Sequence, residues 1–301
     1  MSNTRFARTL LSVVVASALL PTIASAAPST PGCPAPATEF AAGQVSTADL
    51  FESRLSFTPS RNTIYWGVTS EPSPPGSSIV SAILTSDRMV GGWTAPGIAS
   101  FSGVYSDSDP FVTPYGDSLI FSSNRPGGVL ADTPLNDLWV TQRTTSGWTV
   151  PVNLGPNVNS PANELYASAD IHGNLYFASD RDGGAWDLYR SKKLRNGSYA
   201  PAEKVPGKVN HPVRWEFNPE ISPDGRTLLF ATYGRPDSYG DVDIYVSRLE
   251  DGKFGAPQNL GPCVNSAAPE FHPTVLWDRE EFYFVRVGTT TDFYTAPLQL
   301  P

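Results

Sequence analysis

Five short stretches of the chain alternate apolar and polar positions with the period of two that marks a β-strand. One set of positions is Leu55 and Phe57, Pro110 and Val112, Ala167 and Ala169, Pro219 and Ile221, and Pro273 and Val275. The other set holds Arg54 and Ser56, Asp109, Tyr166 and Ser168, Asn218 and Glu220, and His272 and Thr274. The first set predicts a packed face. The second predicts a polar stripe, which strand twist would turn toward a shared centre. An acid opens each stretch: Glu52, Asp107, Glu164, Glu216 and Glu270, at intervals of 55, 57, 52 and 54 residues.

The rest of the pattern keeps that period. An aromatic closes a second strand at Trp66, Phe121, Phe177, Phe230 and Phe284. A third strand is marked by "DLWV" at 137, "DLYR" at 187, "DIYV" at 243 and "DFYT" at 292, and a fourth by an aromatic near a proline at Trp93, Trp148, Tyr199 and Phe254. Four short strands in a repeat of about 50 residues predict an all-β chain, a five-bladed β-propeller of four-stranded blades. The blades fall at about 47–100, 101–160, 161–210, 211–266 and 267–301. No fourth strand follows "DFYTAPLQLP", so the N-terminal segment 36–46 is expected to supply it and close the ring without a free edge.

The repeat also carries a resemblance. Acid-x-x-Pro-x-x-Ser-Pro-Asp-Gly, as in "EFNPEISPDG" at 216, followed by "FSSNRPGG" at 121–128 or "FASDRDGG" at 177–184 and then Asp-x-aromatic, resembles the WD40-like PD40 propeller repeat of TolB-type exported proteins. The resemblance spans about residues 40–301, with departures. The first repeat has "SSIV" at 77–80 in place of Asp-x-aromatic, the third lacks both prolines, and TolB itself has a further N-terminal domain with no counterpart here. It implies a propeller that binds a partner.

Composition agrees with an all-β chain: 29 Pro and 25 Gly supply turns, and 15 Phe, 12 Tyr and 7 Trp supply strand residues. Residues 1–26 carry Arg5 and Arg8, an apolar run "LLSVVVASALL" and then "ASA", the order of a cleaved secretory signal, leaving 27–301 as the mature domain, periplasmic or secreted. "TPGC" lacks the residue expected before a lipidated cysteine, and no later segment is apolar enough to span a membrane. Cleavage takes the formal charge from −8 to −10, which argues against nucleic acid and anionic membranes as partners. Cys33 and Cys263 are the only cysteines, and an oxidising compartment predicts that they pair.

Candidate chemistry gathers on the edge where the first strands begin. The five acids share it with Arg125, Arg181, Arg235, Trp186, Trp215 and His211. Acids repeated in every blade suit a structural role, as backbone acceptors or arginine partners. Residues that differ between blades say more about function: Arg54, Asp109, Tyr166, Asn218, Glu220 and His272, with Trp186 and Trp215, form the candidate ligand set. No Gly-x-Ser-x-Gly, His-Glu-x-x-His or phosphate-cradling glycine loop occurs, and neither a cofactor nor a metal is called for. Two readings stay open. One is a non-enzymatic, monomeric module binding a protein or glycan. The other is a carboxylate-dependent saccharide hydrolase or lyase using Asp109, Glu220, Glu270 and His272, for which carboxyl groups about 5–10 Å apart beside an open pocket would speak.

Overall fold

The computed structural model describes residue 33 and residues 35–69, 81–129 and 135–301. The signal expected at 1–26 lies outside them, as do most of the loop "VTSEPSPPGS" and part of "NRPGGVLADTPLN". Among the described residues every regular element is a β-strand, and no helix is long and apolar enough to cross a membrane.

One unit recurs along the chain: a first strand, a hairpin to a second, a hairpin to a third, all antiparallel. The fourth repeat shows why. Glu216–Ile221 turns through "SPDG" into Thr227–Tyr233, where the Gly225 amide donates to the Ser222 carbonyl at 2.8 Å. Gly225 has φ +71°, and the turn lies so close to Asp170 of the preceding repeat that an added Cβ would stand 3.2 Å from its carboxylate. The turn therefore favours glycine twice over, by conformation and by space. The second strand, with Leu228, Leu229, Phe230 and Ala231 all buried, is covered on both faces, which explains its continuous apolar sequence.

Core clusters sit between successive sheets rather than in one centre. Tyr65 and Ile83 of the first repeat pack with Leu119 and Phe121 of the second. Ile120 and Leu138 pack with Leu175 and Phe177 of the third, and so on to Tyr283 and Val285 of the last, which pack with Leu55 and Trp66 of the first. First and last repeats also touch through a parallel bridge, Phe51 opposite Thr291. Thr38–Glu39 pairs antiparallel with the last strand, Thr38 opposite Thr295 and Glu39 opposite Tyr294. The Cys33–Cys263 disulfide joins this segment to the loop that ends the fourth repeat, and Ala37 packs among Leu229, Ile244 and Val264.

Two sequence expectations need correction. The aromatic near a proline does not mark the whole fourth strand. Gly92–Trp93, Gly147–Trp148 and Lys253–Phe254 form only a distal rung, and a second rung follows at Gly97–Ile98, Val152–Asn153 and Gln258–Asn259. Pro96, Pro151 and Pro257 stand just before the second rung, where a residue without an N–H interrupts the ladder. The period of two is also broken. Each first strand carries one extra residue, with register shifts between Ser53 and Leu55, Ser108 and Phe111, Leu165 and Ser168, Phe217 and Glu220, and Phe271 and Thr274.

Candidate functional site

Two polar layers lie along the first strands. The outer one is built on the opening acids, all buried. Asp107 accepts from Ser102 Oγ at 2.8 Å, Ser123 Oγ at 2.6 Å and Arg125 at 2.6 Å. Glu164 accepts from the Ser160 amide, Ser179 and Arg181 at 2.9, 2.8 and 2.9 Å. Glu270 takes the Ser266 amide at 2.9 Å and Arg286 at 2.7 Å. Glu216 takes the His211 amide at 3.0 Å and has the loosest ion pair, Arg235 at 3.6 Å. These arginines also lie on aromatic rings: Arg125 is 4.7 Å from the Phe121 centroid, Arg181 4.6 Å from Tyr189, Arg235 5.2 Å from Tyr245 and Arg286 4.6 Å from Tyr294. Each donates in addition to a backbone carbonyl, of Phe101, Val158, Val209 or Val264. An acid, a guanidinium and a ring thus fasten the start of four of the five first strands, those opened by Asp107, Glu164, Glu216 and Glu270. Arg286 escaped sequence reading because it follows its aromatic, Phe284, by two positions, whereas Arg125 and Arg181 follow theirs by four.

The inner layer forms at the bulges. Arg54, Asp109, Tyr166, Asn218 and His272 stand two positions after the five acids and have positive φ, from +28° at Arg54 to +61° at Tyr166. This backbone is costly for bulky residues, on the order of 1 kcal/mol each, and a tight surround must hold it. Its effect is convergence. Arg54 reaches across to Glu220 Oε2 at 2.6 Å and the Pro219 carbonyl at 3.3 Å. The His272 ring lies 5.4 Å from that of Tyr166, edge to face, with Nδ1 3.6 Å from Asp109 Oδ1. The His272 amide donates to Asn218 Oδ1 at 3.4 Å, so Asn218 Nδ2 faces His272 Nδ1 at 2.9 Å and donates to it, which places the ring proton on Nε2.

Burial sets the charge state of this hub. It pushes Asp109 up to about 6 and Glu220 up to about 7, although Arg54 opposes the rise in both. Burial, reinforced by the Arg54 charge, pushes His272 well below its ordinary value, so the ring is neutral at pH 7. Glu52, the outer acid of the first repeat, is pushed to about 9, chiefly by burial.

These directions fix a pH dependence. Glu52 keeps its proton to about 9 when folded but only to its ordinary 4.5 when unfolded, so folding takes up a proton between those values and stability declines as pH rises through that window. Glu220 and Glu216 do the same only to about 7, and Asp109 to about 6. His272 has the opposite slope, confined to pH below its ordinary 6.5. Around pH 8, above the range in which Glu216 and Glu220 release most of their protons, the remaining decline belongs to Glu52, and urea unfolding there should show a loss of roughly 1 kcal/mol per pH unit that Glu52→Gln flattens. An equal slope in the variant would contradict this assignment.

Of the sequence candidates, Arg54, Asp109, Tyr166, Asn218, Glu220 and His272 come together in the hub, and all are buried, Arg54 only 1% exposed. Glu270 does not join them; it is held in the outer layer by Arg286. Trp186 is buried against Tyr166, 6.4 Å between centroids, whereas Trp215 is 45% exposed. Two further exposed aromatics of the fourth repeat were not singled out from sequence. Tyr233 and Tyr239 are each 51% exposed, and the Tyr233 amide donates to the Trp215 carbonyl at 3.1 Å. Their signal was present: large aromatics in the connections on the edge where the first strands begin. Among the described residues no group of three His, Cys, Asp or Glu is arranged to hold a metal.

No protein-family model and no curated protein matches the sequence. Solved structures do. A protein named as a TolB from Agrobacterium tumefaciens is 16% identical over 79% of this chain and 70% of that one, with a TM-score of 0.50. The endo-arabinase of Bacteroides thetaiotaomicron is 13% identical over 86% of this chain and 98% of its own, with a TM-score of 0.55. A protein assigned as a glycoside hydrolase from Parabacteroides distasonis is 12% identical over 85% and 89%, with a TM-score of 0.52. At such identities the likeness speaks for architecture alone. The chain is a β-propeller, similar in fold both to a TolB and to glycoside-cleaving enzymes.

Proposed function

We propose that the chain is an exported five-bladed propeller that binds a protein or glycan at the face where its first strands begin, and that it is not an enzyme. In this reading residues 27–301 form one monomeric domain, and the N-terminal segment completes the last blade and closes the ring. The observation that carries the functional reading is the state of the hub. Asp109 and Glu220 are buried with Arg54 among them, so neither carboxyl has a free face from which to protonate or attack a substrate. Glycoside chemistry needs two carboxyls flanking a bond that can enter between them. Exposed recognition groups sit outside the hub instead: Trp215, Tyr233 and Tyr239 present rings suited to apolar protein surface or to sugar faces.

Affinity capture from envelope extract with the tagged mature chain tests this. A partner, protein or glycan, should be retained by the wild type and lost, on the order of tenfold, by Trp215→Ala/Tyr233→Ala/Tyr239→Ala, while the melting temperature changes by no more than a few degrees, because the three rings are half exposed. Saccharide turnover that disappears in Glu220→Gln would replace the binding reading with the hydrolase one.

A further inference from the structure

The hairpin that leaves the third strand of the third repeat, Asp187–Ser191, ends in a fully exposed tip, with every residue from Lys192 to Ser198 open to solvent. It lies on the edge away from the opening acids, since Ser191 pairs with Leu175 and the Lys193 amide donates to Asn174 Oδ1 at 3.1 Å. The tip is a tight turn. The Gly197 amide donates to the Leu194 carbonyl at 2.9 Å, and the Leu194 amide to the Ser198 carbonyl at 2.8 Å. Gly197 has φ +84°, and a Cβ added there would meet nothing within 4 Å. Its anchorage is slight: a single bridge, Lys193 opposite Tyr199, stands where Gly92–Trp93, Gly147–Trp148 and Lys253–Phe254 form rungs of two residues in other repeats.

The turn also arranges one side chain. Asn196 Oδ1 accepts from the Ser198 amide at 3.0 Å and from Ser198 Oγ at 2.7 Å, so two donors converge on the carbonyl oxygen of an exposed amide. Asn196 is the one asparagine in the sequence that glycine follows, and glycine has no side chain to screen its own nitrogen. Asn159 and Asn265, each followed by serine, offer the contrast. Both are 1% exposed and are clamped by amide and carbonyl to the main chain of Leu138 and Ile244.

We propose that Asn196 is a site of spontaneous modification, at which the side-chain amide is lost through a cyclic imide formed with the Gly197 nitrogen. The nitrogen gives its proton to water and attacks Asn196 Cγ; the bond from Cγ to Nδ2 breaks, and Nδ2 takes up a proton and leaves as ammonia. Water then opens the imide at either carbonyl, which restores the Gly197 N–H and leaves an aspartyl or an isoaspartyl residue. Negative charge builds on Oδ1 during the attack, where the two Ser198 donors already point, and hydrogen bonds strengthen as their acceptor becomes charged. One bond opposes the reaction. The Gly197 amide must first release the Leu194 carbonyl, which slows attack about fivefold relative to an open chain. The product places a carboxylate in a stretch, Lys192 to Ser198, that otherwise carries Lys192, Lys193 and Arg195 and no acid.

The test is incubation of the purified mature chain at pH 8 in heavy-oxygen water, followed by peptide mapping and by enzymatic methylation of isoaspartate. The wild type should lose the Asn196 amide ahead of every other asparagine, with isoaspartate in the product. Gly197→Ala should slow the loss at least tenfold, because its methyl group crowds the attacking nitrogen. Ser198→Ala should slow it about fivefold, the factor that one ordinary hydrogen bond is worth. Both positions are exposed, and unchanged melting temperatures would show that neither variant acts through the fold. Retention of the amide in the wild type while the peptide Lys-Leu-Arg-Asn-Gly-Ser-Tyr loses most of its own would overturn the proposal. So would a product free of isoaspartate, or loss from Ser198→Ala as fast as from the wild type. The tip lies on the edge away from Trp215, so this result and the binding result stand or fall separately.

Discussion

Arg54→Met is expected to destabilise the chain by about 4 kcal/mol in urea unfolding at pH 7. Arg54 is buried and is the cation paired with Glu220. Burial lowers its own pKa, and the charges of Glu220 and Asp109 restore it. Removing it leaves two carboxyls in a dry site with no counter-charge, and both would have to fold protonated or unsatisfied. Methionine fills much of the volume, so the loss reports charge rather than cavity. Adding Glu220→Gln should restore at least half of it, because the double variant buries one charge fewer. A single-variant cost below about 1 kcal/mol, or no recovery in the double, would mean that the hub tolerates an uncompensated carboxyl.

Cys33→Ser/Cys263→Ser is the second large effect. The bridge spans 230 residues of sequence, and the chain-entropy account gives about 5.5 kcal/mol for a loop of that length. The position of the bridge adds a structural consequence. The rung at Thr38–Glu39 is only two residues long, and a pairing that short holds only while its strand is tethered nearby. In the serine variant the Phe40 amide, which donates to the Phe293 carbonyl at 2.7 Å, should exchange with solvent at least tenfold faster, while amides of the Thr227–Tyr233 strand keep the protection that global stability allows. A loss below about 1 kcal/mol, with unchanged exchange at Phe40, would show that the segment holds without the bridge.

Much of this architecture was legible because repetition compares the chain with itself. The acids and closing aromatics recur at nearly constant intervals, so strands, turns and the edge carrying Glu52 through Glu270 could be read off without any outside reference. The bulges could not. Positive φ is a matter of backbone conformation, and Arg, Asp, Tyr, Asn and His announce it far less clearly than glycine would. Consequently the polar stripe was read as a lining of the centre, whereas the structure draws Arg54, Asp109, Asn218 and His272 into mutual contact and buries them. Trp186 misled for a related reason. It neighbours an exposed connection in sequence, but Tyr166 turns inward at its bulge and supplies a surface that covers it.

The bulge bears on how such a repeat can arise at all. Copying one unit five times would place five identical side chains where Arg54, Asp109, Tyr166, Asn218 and His272 now meet. Five aspartates would repel one another, five arginines likewise, and five tyrosines would not fit. A chain built by duplication must therefore diverge at this one register position before its copies can assemble, and complementary mismatch there becomes a condition of folding. The same mismatch labels each copy: a unit moved to another place in the order would bring the wrong partner to the centre, so the axis also encodes the sequence in which the units are joined.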